Sequence, residues 1–175
     1  MRVAKLCTFV YLLGMRHRTS FTPDPLGIFF TWTTYGSWLP GDARGWTDKA
    51  GAIRTPNHRL VTRARACLHG NPVRLSPCQR EHVEDIIRRH CDLRGWHLHA
   101  VACRSQHVHV VLTATTASPA QVCQQLKAWA ARSLHDYNET PAHIWSRGYS
   151  GRRLYDAHGL AAVVQYVIEC QDQPH

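Results

Sequence analysis

The sequence has no long apolar run, no paired cysteine motif and no internal repeat. No stretch reaches the roughly 18 apolar residues that a membrane-spanning helix needs, so we expect no membrane anchor. The seven cysteines include no CxxC pair, which disfavours a zinc ribbon or knuckle. Their odd number and scattered spacing disfavour a disulfide framework, and a reducing cytoplasm is the expected compartment.

Acidic residues are also scarce. The chain has 12 Asp and Glu against 21 Lys and Arg, a net charge of +9 with neutral histidines. Such a surplus on 175 residues predicts a polyanionic partner, most often nucleic acid. The length suits one domain, and an apolar content of 44% is enough to build a core. Disorder of the whole chain is therefore excluded.

The N-terminus resembles a secretion signal, because Arg2 and Lys5 precede the apolar stretch Leu6–Met15. The stretch is short, and no small-residue cleavage site follows it. We therefore interpret residues 1–24 as a disordered extension or a segment upstream of the true start, and residues 25–175 as a single domain.

Hydrophobic periodicity predicts an α+β fold. The predicted elements are a strand at 27–35, a helix from Ser76-Pro77 to Gly95, strands at 96–103 and 106–114, a helix from Ser118-Pro119 to about 136, a short edge strand near Arg153-Leu154 and a helix at about 157–171. This βαββαβ order predicts a ferredoxin-like antiparallel sheet with helices on one face, followed by a C-terminal helix. Residues 36–46 are expected to form an ordered loop, whereas residues 47–75 show no sustained period and are interpreted as functional or partly disordered.

His107 and His109 form an i, i+2 pair on a predicted strand. Residues so spaced share one face about 6.6 Å apart, so two imidazoles could bind one divalent ion. We expect Val108, Val110 and Leu112 in the core and the two histidines on the open face of the sheet. His97 and His99 form a second such pair, which is either a rival site or part of a four-histidine zinc site.

The last helix offers a candidate nucleophile. Leu160, Val163, Val164 and Val167 mark its buried stripe, and Tyr166 lies roughly 120° from that stripe. Such a residue is either a boundary tyrosine with its hydroxyl in water or a nucleophile that forms a covalent phosphotyrosine.

Four stretches give the chain a family resemblance: TWTTYGSWLPGDARG (31–45), GWHLHAVACRSQHVHVVLTA (95–114), QLKAWAARSL (125–134) with WSRGYSGRRLY (145–155), and QYVIECQD (165–172). Together they resemble the HUH single-tyrosine transposases, in the branch that includes the REP-associated tyrosine transposases. The resemblance implies a transposase that cleaves and rejoins single-stranded, hairpin-containing DNA through a 5′-phosphotyrosine. His107 and His109 would hold Mg²⁺ or Mn²⁺, and Tyr166 would be the nucleophile.

The third metal ligand departs from the family pattern. The family usually takes it from an Asn or Gln four residues after the tyrosine, and Cys170 stands there in this chain. A thiolate suits magnesium poorly. Gln171 has the right type, and Glu169 offers a hard oxygen about 60° from the tyrosine; we favour Gln171. Gln106, before the histidine pair, is a milder change from the usual Asn.

The sequence indicates base and phosphate contacts less clearly than it indicates the metal ligands and the nucleophile. Five tryptophans are available for stacking on bases, although Trp129 is expected in the core as part of a helix stripe. Candidate phosphate contacts are Arg44, Arg104, Lys127, Arg147, Arg152 and Arg153. The alternatives are a domesticated hairpin-DNA-binding protein and a zinc or histidine-triad-type phosphoesterase, although Val111 stands where a third histidine would continue the pattern. A homodimer and a nucleoid-associated cytoplasmic location are further expectations.

Overall fold

The structure is a computed structural model, and it describes residues 24–48, 51–114, 117–137 and 141–169. The elements are β1 (Gly27–Thr33), β2 (Trp46–Thr47), β3 (Ile53–Arg54), α1 (His58–Ala66), α2 (Pro77–Arg94), β4 (His97–Cys103), β5 (His107–Thr113), α3 (Pro119–Tyr137), β6 (Ser150–Leu154) and α4 (Ala157–Glu169). The main sheet has the order β4-β5-β1-β6 with antiparallel neighbours, and β2 and β3 form a separate hairpin. The predicted βαββαβ order is confirmed. Residues 1–23 and 170–171, to which predictions were attached, lie outside the described residues.

Local signals place the ends of α2. Ser76 Oγ accepts a hydrogen bond from the Gln79 backbone N–H, and Gln79 Oε1 accepts one from the Ser76 backbone N–H. This capping box satisfies two amides that lack partners within the helix. At the other end Gly95 has φ +63°, the left-handed conformation that glycine adopts at little cost. Both predicted boundaries are confirmed.

The sheet is covered on both faces. Helices α2 and α3 pack on the face formed by Phe30, Val110 and their neighbours, which is the larger core. Val163 and Val167 of α4 pack against the opposite face. The expectation of an open face is therefore wrong, because the apolar stripe of α4 needs a partner and this face supplies one. The C-terminal helix reaches the side of the sheet that carries the histidine pair.

Residues 47–75 contain more structure than their sequence indicated. The segment between β1 and α2, which we call the insertion (residues 34–76), contains the β2–β3 hairpin and helix α1. The side chain of Asn57 caps α1 by accepting the Leu60 N–H at 3.0 Å. Within α1 only Val61 is buried, so no helical period is visible in the sequence. Gly41, at φ +89°, packs against α1: a Cβ there would lie 2.4 Å from the Asn57 carbonyl oxygen.

The predicted burial of Trp129 is wrong. The buried stripe of α3 is Val122, Leu126, Ala130 and Leu134, and Trp129 beside it is 43% exposed. Its ring lies 5.3 Å from that of His90 on α2.

Within the described ranges, no helix is long and apolar enough to cross a membrane.

Candidate active site

His107 and His109 lie on the face of β5 that α4 covers. Their ring centroids are 4.8 Å apart at an interplanar angle of 66°, so the two imidazoles converge. His107 is half-buried and His109 is 8% exposed. Val108, Val110 and Leu112 are fully buried on the other face, as the alternation predicts.

Thr31 fixes the ring of His109. The two residues are direct partners in the β1–β5 ladder, and Thr31 Oγ1 lies 2.7 Å from His109 Nδ1. When Nδ1 donates its proton to this hydroxyl, Nε2 keeps its lone pair. Burial lowers the pKa of His109 to about 4, and the charges of His107 and Arg104 act in the same direction. His109 is therefore a neutral imidazole at physiological pH, the form that binds metal ions.

Tyr166 on α4 lies beside this pair. Its ring centroid is 6.0 Å from that of His109, and the side chain is 46% exposed. Phe29 of β1 contacts both rings: it stacks on His109 at 5.3 Å and meets Tyr166 edge-on at 6.4 Å. Aromatic contacts of this kind each contribute about 0.5–1.5 kcal/mol and restrain ring orientation. Phe29 therefore holds the imidazole and the phenol side by side.

A solvent-open cleft of about 540 Å³ lies next to the tyrosine. Phe29, Ser150, Arg152 and Tyr166 line it, together with Ala162 and Val163 of α4. The guanidinium carbon of Arg152 is 5.9 Å from the Phe29 ring centroid, and the two residues are ladder partners. We call this the tyrosine cleft. It brings the Arg152 guanidinium beside the Tyr166 phenol in a space that is open to solvent, and the His109 ring lies next to the same phenol.

The two imidazoles fit a divalent cation, and the described residues add no third His, Cys, Asp or Glu ligand. Across residues 24–48, 51–114, 117–137 and 141–169, no three His, Cys, Asp or Glu side chains form a possible metal site. Glu169 Oε2 accepts a hydrogen bond from Gln165 Nε2 at 2.9 Å, and the role of Glu169 as the alternative third ligand stays a prediction. Gln171 lies outside the described residues, so its role stays a prediction. The fit rests on two imidazoles whose ring centroids are 4.8 Å apart, of which His109 is neutral and has the Thr31 hydroxyl 2.7 Å from its Nδ1.

His97 and His99 form a separate pair. Their ring centroids are 4.5 Å apart, and His99 Nε2 lies 2.9 Å from Thr113 Oγ1. His97 is the ladder partner of Thr113, whereas His109 is the partner of Ala102. The two pairs therefore lie about 13 Å apart along β5, at 3.3 Å per residue. The four-histidine zinc site is wrong, since no such group forms within the described ranges.

The candidate phosphate contacts fall into two groups. Arg44 and Lys127 serve the fold: Arg44 pairs with Asp42 at 2.8 Å, and Lys127 Nζ donates to the carbonyls of Ser146 and Gly148. The other four lie at clefts, at a turn or on the strand β6. Arg147 and Arg152 line clefts, Arg104 is half-buried at the β4–β5 turn, and exposed Arg153 is the ladder partner of Ile28, which packs in the α2–α3 core.

Sequence reasoning missed Phe29 and Thr31. Both lie on β1 among apolar and β-branched residues, and neither carries an obvious chemical signature. Alternation along β1 was the available signal: Ile28, Phe30 and Trp32 form one face, so Phe29 and Thr31 form the other. Only the strand pairing shows that this second face meets the histidines.

Comparisons with known proteins agree with this architecture. A family model described as "Transposase IS200 like" matches residues 72–170. A solved structure of a REP-associated tyrosine transposase bound to a REP hairpin is similar with a TM-score of 0.50 and 12% identity, over 81% of this chain and 63% of that one. The chain thus spans less than two thirds of that protein. A transposase-like crystal structure from Deinococcus radiodurans R1 is similar with a TM-score of 0.45 and 19% identity, over 98% of this chain and 100% of that one. No curated protein sequence matches the chain.

Proposed function

The chain belongs to the IS200-like transposase family, and from this premise we propose that it cleaves and rejoins single-stranded, hairpin-containing DNA through Tyr166. The observation that carries the proposal is the meeting of Tyr166, His107 and His109 at one end of the sheet, with ring centroids of the phenol and His109 6.0 Å apart. The structurally similar REP-associated transposase is bound to a REP hairpin, which supports a folded DNA substrate. The net charge of +9 suits a DNA backbone.

In the proposed reaction the Tyr166 hydroxyl oxygen attacks the phosphorus of a backbone phosphodiester. The new O–P bond forms as the bond to the 3′-oxygen breaks, which leaves a 5′-phosphotyrosine. The phenolic proton goes to solvent, and the departing 3′-oxygen takes up a proton to become a free 3′-hydroxyl. Attack by another 3′-hydroxyl on the phosphotyrosine reverses these changes and joins two strands.

His107 and His109 would hold a divalent cation, Mg²⁺ or Mn²⁺, with Gln171 as the proposed third ligand. Such a cation would polarise the scissile phosphate. The Thr31 hydroxyl can accept the Nδ1 proton of His109, which leaves Nε2 free for the cation, and Phe29 keeps the ring beside Tyr166. Arg152 lines the cleft beside the nucleophile, so its charge can bind the phosphate and offset the negative charge that develops during attack.

Strand-specific labelling tests this function. The purified chain is incubated with hairpin DNA that carries random single-stranded flanks and Mn²⁺ or Mg²⁺, and products are separated on denaturing gels. A 3′ label is expected to migrate with the protein, and a 5′ label is expected on a shortened free strand. Tyr166→Phe should abolish the adduct, whereas Tyr155→Phe, at a tyrosine of similar exposure, should retain it. An adduct that persists in Tyr166→Phe would refute the assignment.

A hairpin-binding protein without cleavage is the second candidate. It is favoured by one observation: among the described residues, no third His, Cys, Asp or Glu joins His107 and His109. This candidate predicts retention of hairpin DNA on native gels, with no covalent adduct at any metal concentration.

A further inference from the structure

A second solvent-open cleft, of about 510 Å³, lies where the insertion meets the chain just before β6. Trp38 and Thr47 of the insertion form one side, and Arg147 and Tyr149 form the other. Trp38 and Thr47 lie outside residues 72–170, the segment that the family model matches. We call this the insertion cleft. One of its sides is therefore a feature of this chain that the family comparison does not cover.

The side chains of the insertion cleft suit a flat, polar aromatic ligand. Trp38 is 47% exposed and Tyr149 is 41% exposed, although large aromatic side chains usually find cover. The guanidinium of Arg44 lies 4.3 Å from the Trp38 ring centroid, and Arg147 is exposed. Exposed aromatic rings with arginines beside them are the usual platform on which unpaired bases stack.

Trp32 adds an independent observation. It lines the insertion cleft, it is 2% exposed, and its indole Nε1 has no hydrogen-bond partner within the described residues. Buried donors are nearly always paired, because an unpaired one costs about 1–3 kcal/mol. Three other indoles follow the rule: Trp38 donates to the Gly45 carbonyl, Trp46 to the Thr55 carbonyl and Trp145 to the Lys127 carbonyl. A base carbonyl or ring nitrogen is an acceptor of the kind that Trp32 lacks.

The insertion cleft adjoins the candidate active site. Thr31 lines it and also holds His109 at 2.7 Å. Ser150 lines both this cleft and the tyrosine cleft. A strand whose phosphate lies beside Tyr166 could therefore continue directly into the insertion cleft, because the two clefts share Ser150.

We propose that the insertion cleft binds one unpaired nucleobase of the DNA strand, next to the phosphate at Tyr166. The base stacks on the exposed aromatic wall of Trp38 and Tyr149, and it accepts a hydrogen bond from Trp32. This inference rests on the proposed function, which supplies the DNA strand. It assigns selection of the base next to the cleaved phosphate to the insertion cleft.

Equilibrium binding separates base recognition from backbone attraction. The probes are a fluorescent random-sequence DNA of about 16 nucleotides and an abasic chain of the same length and charge, measured by anisotropy without added metal. The wild type should prefer the base-bearing probe. Trp38→Ala should lower that preference about fivefold or more and leave affinity for the abasic chain unchanged, because stacking is lost and the backbone charges remain. Tyr155→Ala, at an equally exposed ring outside the cleft, is the matched control and should keep the preference.

A second variant covers the case in which Trp38→Ala disturbs its loop. Trp32→Phe removes the unpaired N–H and keeps an aromatic ring, so it should fold, by circular dichroism, and should also lower the preference. If the wild type binds both probes with equal affinity, the inference that the insertion cleft binds a base is wrong, and the proposed function is left intact. A preference that survives in both folded variants would overturn it as well. If the wild type binds neither probe, both the proposed function and the inference are wrong.

Discussion

Substitution of Thr31 by valine tests which histidine pair binds the metal. The change removes one hydroxyl and keeps the side-chain volume nearly constant. His109 Nδ1 then loses its partner at 2.7 Å in a position where the residue is 8% exposed. The ring loses the one hydrogen bond given for Nδ1, and only its packing against Phe29 and Tyr166 still orients it. Loss of such a partner behind a metal-binding histidine typically costs 10- to 100-fold in affinity or activity.

The size of the effect follows from that range. At about 1.4 kcal/mol per factor of ten, a loss of 10- to 100-fold corresponds to about 1.4–2.8 kcal/mol. This agrees with the cost of about 1–3 kcal/mol for a buried polar group left without its partner. Isothermal titration of the metal-free protein with Mn²⁺ should therefore show a dissociation constant raised 10- to 100-fold in Thr31→Val, with one site per chain.

The chain supplies its own matched control. Thr113 Oγ1 holds His99 of the second pair at 2.9 Å, so Thr113→Val makes the same change at the rival site. We expect Thr113→Val to leave Mn²⁺ affinity within about twofold of the wild type. The reverse pattern, in which Thr113→Val weakens binding and Thr31→Val does not, would refute the assignment to His107 and His109. An unchanged affinity in both variants would show that neither hydroxyl supports a metal ligand.

Three further predictions concern the fold and the cleft. Gly41→Ala should lower the free energy of unfolding, measured by urea titration, about 1–3 kcal/mol more than Gly51→Ala does. Both glycines have positive φ, but only a Cβ at Gly41 would collide, 2.4 Å from the Asn57 carbonyl oxygen. Equal urea midpoints would contradict the packing of α1. Arg152→Gln should slow adduct formation about tenfold or more in single-turnover assays, whereas Arg153→Gln, on the same strand, should change it less than threefold; similar rates in the two variants would remove Arg152 from the phosphate site. Burial lowers the pKa of His90 in the folded state. Below about pH 6.5 the unfolded chain therefore binds a proton at His90 that the folded chain does not bind. The free energy of unfolding should fall as the pH drops below about 6.5. His90→Gln should flatten this dependence in thermal melts at pH 7.5 and pH 5.5, and an unchanged slope would show that His90 does not contribute.

The fold could be predicted from the sequence wherever local chemistry marks it. The capping box at Ser76 and the glycine at position 95 bound α2, and the valine-rich run HVHVVLT marks β5. Helix α1 could not be predicted in this way, because one buried residue, Val61, produces no periodicity. Its position depends on the close approach of Gly41, a tertiary contact that the sequence does not display.

The sequence indicated the proposed reactive residues but not the residues that support them. Spacing singled out His107 and His109, the helical stripe singled out Tyr166, and the family resemblance assigned their proposed roles. Thr31 was not visible, because only the register of β1 against β5 places it opposite His109. The face that carries these residues was expected to be open, and α4 covers it because Val163 and Val167 need an apolar partner. That covering brings the phenol of Tyr166 to the imidazoles.

Mass spectrometry of the covalent product tests the central claim most directly. The 3′-labelled adduct is digested with trypsin and nuclease, and the peptide that carries the nucleotide is fragmented. Cleavage after Arg153 yields a peptide that contains both Tyr155 and Tyr166, so the fragment ions must distinguish them. We predict a nucleotide attached through its 5′-phosphate to Tyr166, formed only with Mn²⁺ or Mg²⁺ present. Attachment to Tyr155, to a serine or to any other residue would contradict the account.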